Sequence, residues 1–325
     1  MASASTLSLR LADLNSAPRD STLALLFPGQ GSQEVGAGQD LFQTAPAARS
    51  VFEKADAVLG FPLSELCFRG PEPELLQTVN AQPAILVTSL ACLAAALESG
   101  ALRRRPALLA GHSLGEYTAL VAAGALDFEA ALSLVRRRAD LMQEAAQRAP
   151  GVMAALVGLD EEKVEDVCRR SGAEPCNYNS PGQTVIGGTP RAVEQAAAMA
   201  RELGGRALPL SVSGAFHTSL IRSAAEAFAA VVDACPLRDP AVPVVANATA
   251  DVLTTAEAVR TELKQQMLRP VLWRQSMARM VQSGVTTFVE VGPGHVLTSL
   301  VKRAEPGLTA ISVSDASSLD ALRDV

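Results

Sequence analysis

A serine, a histidine and an arginine are the residues here best placed to do chemistry, and the serine has the clearest setting. Gly111-His112-Ser113-Leu114-Gly115 is a G-x-S-x-G pattern, the spacing of a nucleophile elbow. Its glycines leave room on either side of an apical residue at a tight strand-to-helix turn, so the hydroxyl can face a substrate. The helix that follows aims its N-terminal amides at a developing oxyanion. Taken alone, the pattern also fits an inert strand–turn–helix. A serine hydroxyl is a weak nucleophile and needs a base within hydrogen-bond reach. The three histidines are His112, His217 and His295. His112 adjoins the serine, and side chains adjacent on such a turn point apart, so it reads as a packing residue hydrogen-bonded to backbone. His217 closes the small-residue stretch Ser213-Gly214-Ala215-Phe216-His217, a suitable place for a base facing a cleft, although a loop histidine can equally be inert. His295 follows Gly294 in a turn and reads as a surface residue.

These residues need elements to position them. Ala107–Ala110 reads as a buried strand leading into the elbow, with a helix from about Leu114. Leu23–Phe27 is a short apolar run ended by Pro28-Gly29, hence another buried strand, and it opens into the loop Gly29-Gln30-Gly31-Ser32-Gln33. A dinucleotide fingerprint would place glycine at position 34, where the chain has Glu34, so that reading is weak. Helices are expected at Glu53–Leu59, Ser64–Cys67, Gln82–Leu97 and Asp127–Ala149, with a turn at Gly70–Pro73. Arg103-Arg104-Arg105-Pro106 breaks the chain before the elbow strand and reads as a solvated helix end.

From about residue 150 the pattern changes. Val152–Val157, Glu174–Tyr178, Thr184–Ile186 and Arg206–Leu210 read as strands, Glu161–Arg170 and Pro190–Leu203 as helices. The order β-α-β-β-α-β is that of a ferredoxin-like α+β subdomain over residues 150–211. It is inserted into an α/β core made of residues 22–149 and 212–325, since strands (Pro243–Ala246, Thr287–Val291) and helices (Ala256–Gln266, Leu272–Val281) resume after it. The expected architecture is therefore a hydrolase-like parallel sheet covered by helices, with the site at the strands' C-terminal ends.

Composition narrows the function classes. A chain of 325 residues with 48% hydrophobic and 19% charged residues can bury a sizeable core. No apolar run reaches the roughly 18 residues of a membrane span without polar breaks, which argues against a membrane role. The net charge of −6 argues against a nucleic-acid partner. Five cysteines, odd in number and without a C-x-x-C, fit reduced thiols in a cytoplasmic protein better than disulfides. Three histidines are few for a metal site. Residues 1–21 lack the pattern of a secretory signal and read as a disordered leader.

At this point the chain resembles a known family. Gly29–Gln33 (GQGSQ), Ala81–Leu86 (AQPAIL), Gly111–Leu120 (GHSLGEYTAL), Arg138–Gln143 (RADLMQ), Asn179–Gln183 (NSPGQ), Gly214–His217 (GAFH) and Val289–Arg303 are similar to the motifs of malonyl-CoA:acyl carrier protein transacylases. The blocks lie in the family's order, across roughly Leu23 to Val313. The resemblance implies a two-step path without metal or redox cofactor. Ser113 would take the malonyl group from malonyl-CoA as an ester and pass it to the phosphopantetheine thiol of acyl carrier protein. His217 would be the base and then the acid. It would be oriented by a backbone carbonyl near Gln266, with no triad carboxylate. The backbone N–H groups of Gln30 and Leu114 would form the oxyanion hole, and Gln82 would line the pocket.

Arg138 lies 25 residues after Ser113, the family's spacing, and a guanidinium can clamp a carboxylate with two hydrogen bonds. The resemblance thus implies an acyl group carrying its own charge. Its neighbours Arg136 and Arg137 would face solvent. Phe216 would crowd an alpha substituent, a discrimination of about 1–3 kcal/mol for a methyl group. Thr218-Ser219-Leu220-Ile221 and His295 depart from the family's commoner residues without touching a proposed role. Arg103–Arg105, Arg169-Arg170, Arg206 and Lys302-Arg303 are candidate docking patches for an acidic carrier, and the enzyme is expected to act as a monomer. The competing readings are a serine acyl hydrolase, or thioesterase, acting on carrier-bound thioesters, and an inactive scaffold. An intact serine, histidine and arginine set argues against the scaffold.

Overall fold

Continuous burial on both faces builds the central strands. Leu23, Leu25 and Phe27 join one apolar cluster while Ala24 and Leu26 join another, so a single strand feeds a core on each face of its sheet. The computed structural model describes Leu11 and residues 14–323. Its strands are β1 (Arg19–Phe27), β2 (Arg105–Gly111), β3 (Val152–Val157), β4 (Glu174–Ser180), β5 (Gln183–Gly188), β6 (Arg206–Pro209), β7 (Val244–Val245), β8 (Val252–Leu253), β9 (Thr287–Val291) and β10 (Thr309–Val313).

Six strands form one sheet in the order β10-β9-β1-β2-β7-β8, parallel except where β8 returns antiparallel on β7. Helices Pro46–Leu59, Thr78–Glu98, Gly115–Ala122 and Phe128–Arg148 supply one core, Trp273–Gln282 and Val296–Ala304 the other. The remaining strands form an antiparallel sheet, β4-β5-β3-β6, the ferredoxin-like order. Ala154, Leu156 and Ile186 pack under helices Glu161–Ser171 and Pro190–Glu202. Met153, Ala155, Cys176 and Val185 point the other way and belong to the main core. The two sheets are thus joined by shared apolar packing.

Several expectations change. Of the expected leader, residues 1–10, 12 and 13 lie outside the described residues. The rest is not a free tail, because Leu11 and Leu14 are buried in the main core and β1 already pairs Arg19 with Arg105. Arg105 accordingly begins β2 rather than breaking the chain, and its guanidinium bonds the Asn15 carbonyl at 3.0 Å.

The apolar helix starts at Thr78, four residues before the expected Gln82, and runs through Pro83. Proline deprives the carbonyl four residues back, that of Val79, of its helical partner. Arg136, expected in solvent, donates to that carbonyl at 3.3 Å and also pairs with Asp140 at 3.1 Å. This 21-residue helix is also long and apolar enough to cross a bilayer, although Asn80, Gln82, Thr88 and Ser89 interrupt its apolar run. In the fold it is a core helix, with 94% of its apolar window inside the protein.

Candidate active site

The elbow is built by backbone crowding. β1 and β2 pair through Phe27 and Gly111, side by side where both strands end. A Cβ on Gly111 would lie 1.9 Å from the Gly115 carbonyl carbon, and one on Gly115 would lie 2.1 Å from the Phe27 carbonyl oxygen. The glycines therefore serve close passage of one strand past the turn, more than access for substrate. Ser113 sits at the apex with φ of 49°, a left-handed conformation unfavourable for a residue with a Cβ. Its N–H donates to Asn247 Oδ1 at 2.6 Å, and Asn247 Nδ2 donates to the Gly111 carbonyl at 2.7 Å. Among the described residues, the backbone N–H groups of Leu114 and Gln30 are bonded to no other protein group.

His217 meets the serine from the loop between β6 and the Arg222–Asp233 helix, also at positive φ (60°). Its Nε2 lies 2.8 Å from Ser113 Oγ. Nδ1 lies 3.0 Å from the Gln266 carbonyl and 3.1 Å from that of Arg269. Two carbonyls can only accept, so Nδ1 carries the hydrogen and Nε2 is left to accept from the serine hydroxyl. The imidazole is buried, and that burial first, then the Arg138 charge, lowers its pKa to about 3, against smaller opposing effects of the two carbonyls. It is held neutral, as a base must be.

Arg138 is 1% exposed. One guanidinium nitrogen donates to Gln82 Oε1 at 2.8 Å; another donates to Ser113 Oγ at 3.2 Å and Gln266 Oε1 at 3.1 Å. The Tyr117 ring lies beneath it, 5.3 Å from ring centroid to guanidinium carbon. Its Nε has no acceptor, and among the described residues no carboxylate forms an ion pair with it. Burial lowers its proton affinity, though a guanidinium keeps its charge in proteins. Gln82 Nε2 donates in turn to Gln30 Oε1 at 3.3 Å, and Gln30 Nε2 to Thr78 Oγ1 at 3.1 Å. Gln30, Gln82, Ser113, Arg138, His217 and Gln266 therefore form one hydrogen-bonded set, with Leu114 beside it in the turn.

A small cavity of about 80 Å³ opens on Ser113 and His217, lined also by Gln30, His112, Met142, Asn177, Leu210 and Phe216. Phe216 is buried against it. His112 departs from expectation. It packs on Trp273, with ring centroids 5.5 Å apart, but its Nε2 bonds the Asn179 side chain at 2.9 Å rather than backbone. His295 is exposed, as is Arg137.

Asn247 and Glu116 were not anticipated. Glu116 is buried and accepts the Asn247 backbone N–H at 3.1 Å and a bond from Gln266 Nε2. Burial, then the neighbouring Glu262, push its carboxyl well above the usual range, so it is a poor counterion for Arg138. The signal that could have found Asn247 is a polar residue just past the short apolar strand β7, at the sheet's C-terminal edge.

A mainly parallel helix-covered sheet, an elbow serine at its C-terminal edge and a histidine oriented by carbonyls define an α/β protein with a serine–histidine dyad. The chain belongs to the acyl transferase domain family, whose model matches residues 24–321. It is 46% identical over 306 residues to the malonyl CoA-acyl carrier protein transacylase of Bacillus subtilis, covering 92% of this chain and 96% of that one. The Escherichia coli K12 protein of the same name is 42% identical over 303 residues, with 92% and 97% covered. Among solved structures, a malonyl-transacylase in complex with a holo type II polyketide synthase acyl-carrier protein superposes with a TM-score of 0.90 at 41% identity, covering 93% and 99%. The malonyl-CoA:acyl carrier protein transacylase of Xanthomonas oryzae pv. oryzae gives 0.89 at 40% identity, covering 94% and 98%.

Proposed function

We propose that this chain moves a malonyl group from malonyl-CoA to the phosphopantetheine thiol of an acyl carrier protein, supplying fatty-acid or polyketide synthesis, with Ser113 as the intermediate carrier. Ser113 gives its proton to His217 Nε2 while Oγ attacks the thioester carbonyl. The oxyanion is received by the Leu114 and Gln30 N–H groups. Collapse breaks the carbon–sulfur bond, and the imidazolium proton goes to the departing coenzyme A thiolate. The second half runs in reverse, with the carrier's thiol giving its proton to His217 and attacking the ester. Gln266 holds His217 through its carbonyl and Arg138 through its side chain. Gln82 fixes the other side of the guanidinium.

The single observation that carries this reading is Arg138, a buried cation with no carboxylate ion-paired to it among the described residues and hydrogen-bonded to Ser113 Oγ. A malonyl carboxylate would fill the missing place with a forked pair of hydrogen bonds. The cavity of about 80 Å³ suits a short acyl group, leaving the rest of either thioester outside. Phe216 at its wall supports a preference for the unsubstituted malonyl group.

The same reading takes residues 22–149 and 212–325 as the catalytic core and 150–211 as an inserted lobe, a division that the two sheets support. The reading also takes the enzyme as a monomer, and five buried free cysteines favour a cytoplasmic location. For the carrier, Arg206 is the better placed when set against Arg103–Arg105. It lies on β6, whose continuation at Leu210 lines the cavity, whereas Arg103–Arg105 lie at the start of β2, the far end from Ser113.

Arg138→Ala tests the proposal. Transfer from malonyl-CoA should fall by about 100-fold or more, in line with loss of a charge-assisted bidentate contact, while transfer from acetyl-CoA is spared or rises. Undiminished malonyl transfer would remove the clamp from the mechanism.

A further inference from the structure

We propose that Asn247 is a positioning residue for the transfer reaction, bracing the Ser113 elbow and withholding the Ser113 N–H from the oxyanion hole. The inference takes the serine-ester mechanism above as its setting. One side-chain amide touches both limbs of the turn: Oδ1 accepts the Ser113 N–H at 2.6 Å, and Nδ2 donates to the Gly111 carbonyl at 2.7 Å. A backbone N–H must donate and a carbonyl must accept, so the amide's orientation is fixed by its partners. The bridged residues flank the steepest part of the chain, where Ser113 holds a positive φ and Gly111 presses on Gly115.

Asn247 is itself anchored. It is 2% exposed; its N–H donates to Glu116 Oε1 at 3.1 Å, and its carbonyl accepts from the Leu272 N–H at 2.8 Å. The other oxygen of Glu116 accepts from Gln266 Nε2, which also donates to the Ser113 carbonyl at 2.9 Å. The nucleophile's N–H and C=O are thus both tied, through Asn247 and Gln266, to one buried carboxyl. With the Ser113 N–H committed, the oxyanion is left to Leu114 and Gln30. Among the described residues no hydrogen bond joins Asn247 directly to Arg138 or His217, so its first effect should fall on the nucleophile's placement.

The test uses Asn247→Ala and the isosteric Asn247→Asp, which keeps the acceptor for Ser113 but sets an oxygen against the Gly111 carbonyl. Both should lower kcat, and the rate of Ser113 labelling by a fluorophosphonate, by about 10- to 100-fold, the scale of an ångström's misplacement. For Asn247→Ala, which adds no charge, KM for malonyl-CoA and the pH of the acid limb should stay unchanged. A folded variant that labels and turns over within about threefold of the parent would overturn the proposal, that difference being well short of such a misplacement. Fluorophosphonate labelling does not depend on the acyl group, so failure of the malonyl reading would leave this comparison intact. In the unmodified enzyme, the Ser113 amide should exchange with deuterium far more slowly than that of Leu114; equal exchange would also contradict it.

Discussion

Arg138 is buried, and among the described residues no carboxylate forms an ion pair with it; Glu116, beside it, is no ready counterion. Glu116 is held towards its neutral form by burial and by Glu262. The charge is felt by His217 instead, where it is the second cause, after burial, of a pKa lowered to about 3. A carboxylate bound on Arg138 would cancel that second effect and make the base stronger once substrate is in place. The acid limb of the acylation rate should therefore lie at higher pH for saturating malonyl-CoA than for the second-order rate, which reports the free enzyme. Coincident limbs would show that Arg138 and the substrate do not tune the histidine. Stability should follow the same group. The folded value lies below the unfolded one near 6.5, so the unfolded chain binds the extra proton in between. The contribution is complete above that unfolded value and is lost as the pH falls towards 3. Urea unfolding at about pH 7 and about pH 4 should show a larger loss for the parent than for His217→Asn.

Among the elements, the strand–turn–helix around Ser113 has the least freedom. A methyl on Gly115 would meet backbone oxygens of both Phe27 and Pro28, at 2.1 and 2.8 Å, and backbone cannot rotate aside. Gly115→Ala should cost at least about 3 kcal/mol in urea unfolding, the upper end of ordinary overpacking, and slow acylation too. An alanine variant of parental stability would mean that the turn is looser than its geometry. This element was readable because its glycines and apolar strand are local signals; Val152–Val157 and Thr287–Val291 were equally clear. The edge strand Thr309–Val313, only half-buried, and the helices Arg222–Asp233 and Val296–Ala304 were not anticipated. A carbonyl near Gln266 facing His217 followed from the family resemblance, not from any local pattern, and the second carbonyl, that of Arg269, followed from neither. Asn247 lay beyond both, since it reaches the elbow from 134 residues away. No local periodicity carries a contact made only when β7 joins β2.

At the scale of the whole molecule, the small sheet contributes Met153, Ala155, Cys176 and Val185 to the main core, so the two sheets share apolar packing. Leu210 and Val212, which follow β6, line the cavity together with Phe216 and Met142. A cavity of about 80 Å³ would hold a short acyl group and leave the bulk of either thiol carrier outside, an arrangement suited to exchanging one thiol for another. The most direct measurement is the fate of a preformed acyl-enzyme. The protein is loaded with radiolabelled malonyl-CoA, freed of coenzyme A, and divided between buffer and holo acyl carrier protein. The mechanism predicts label on Ser113, absent in Ser113→Ala, that persists in buffer and moves to the carrier's thiol. Release as free malonate at the same rate with or without the carrier would make the chain a hydrolase and contradict it.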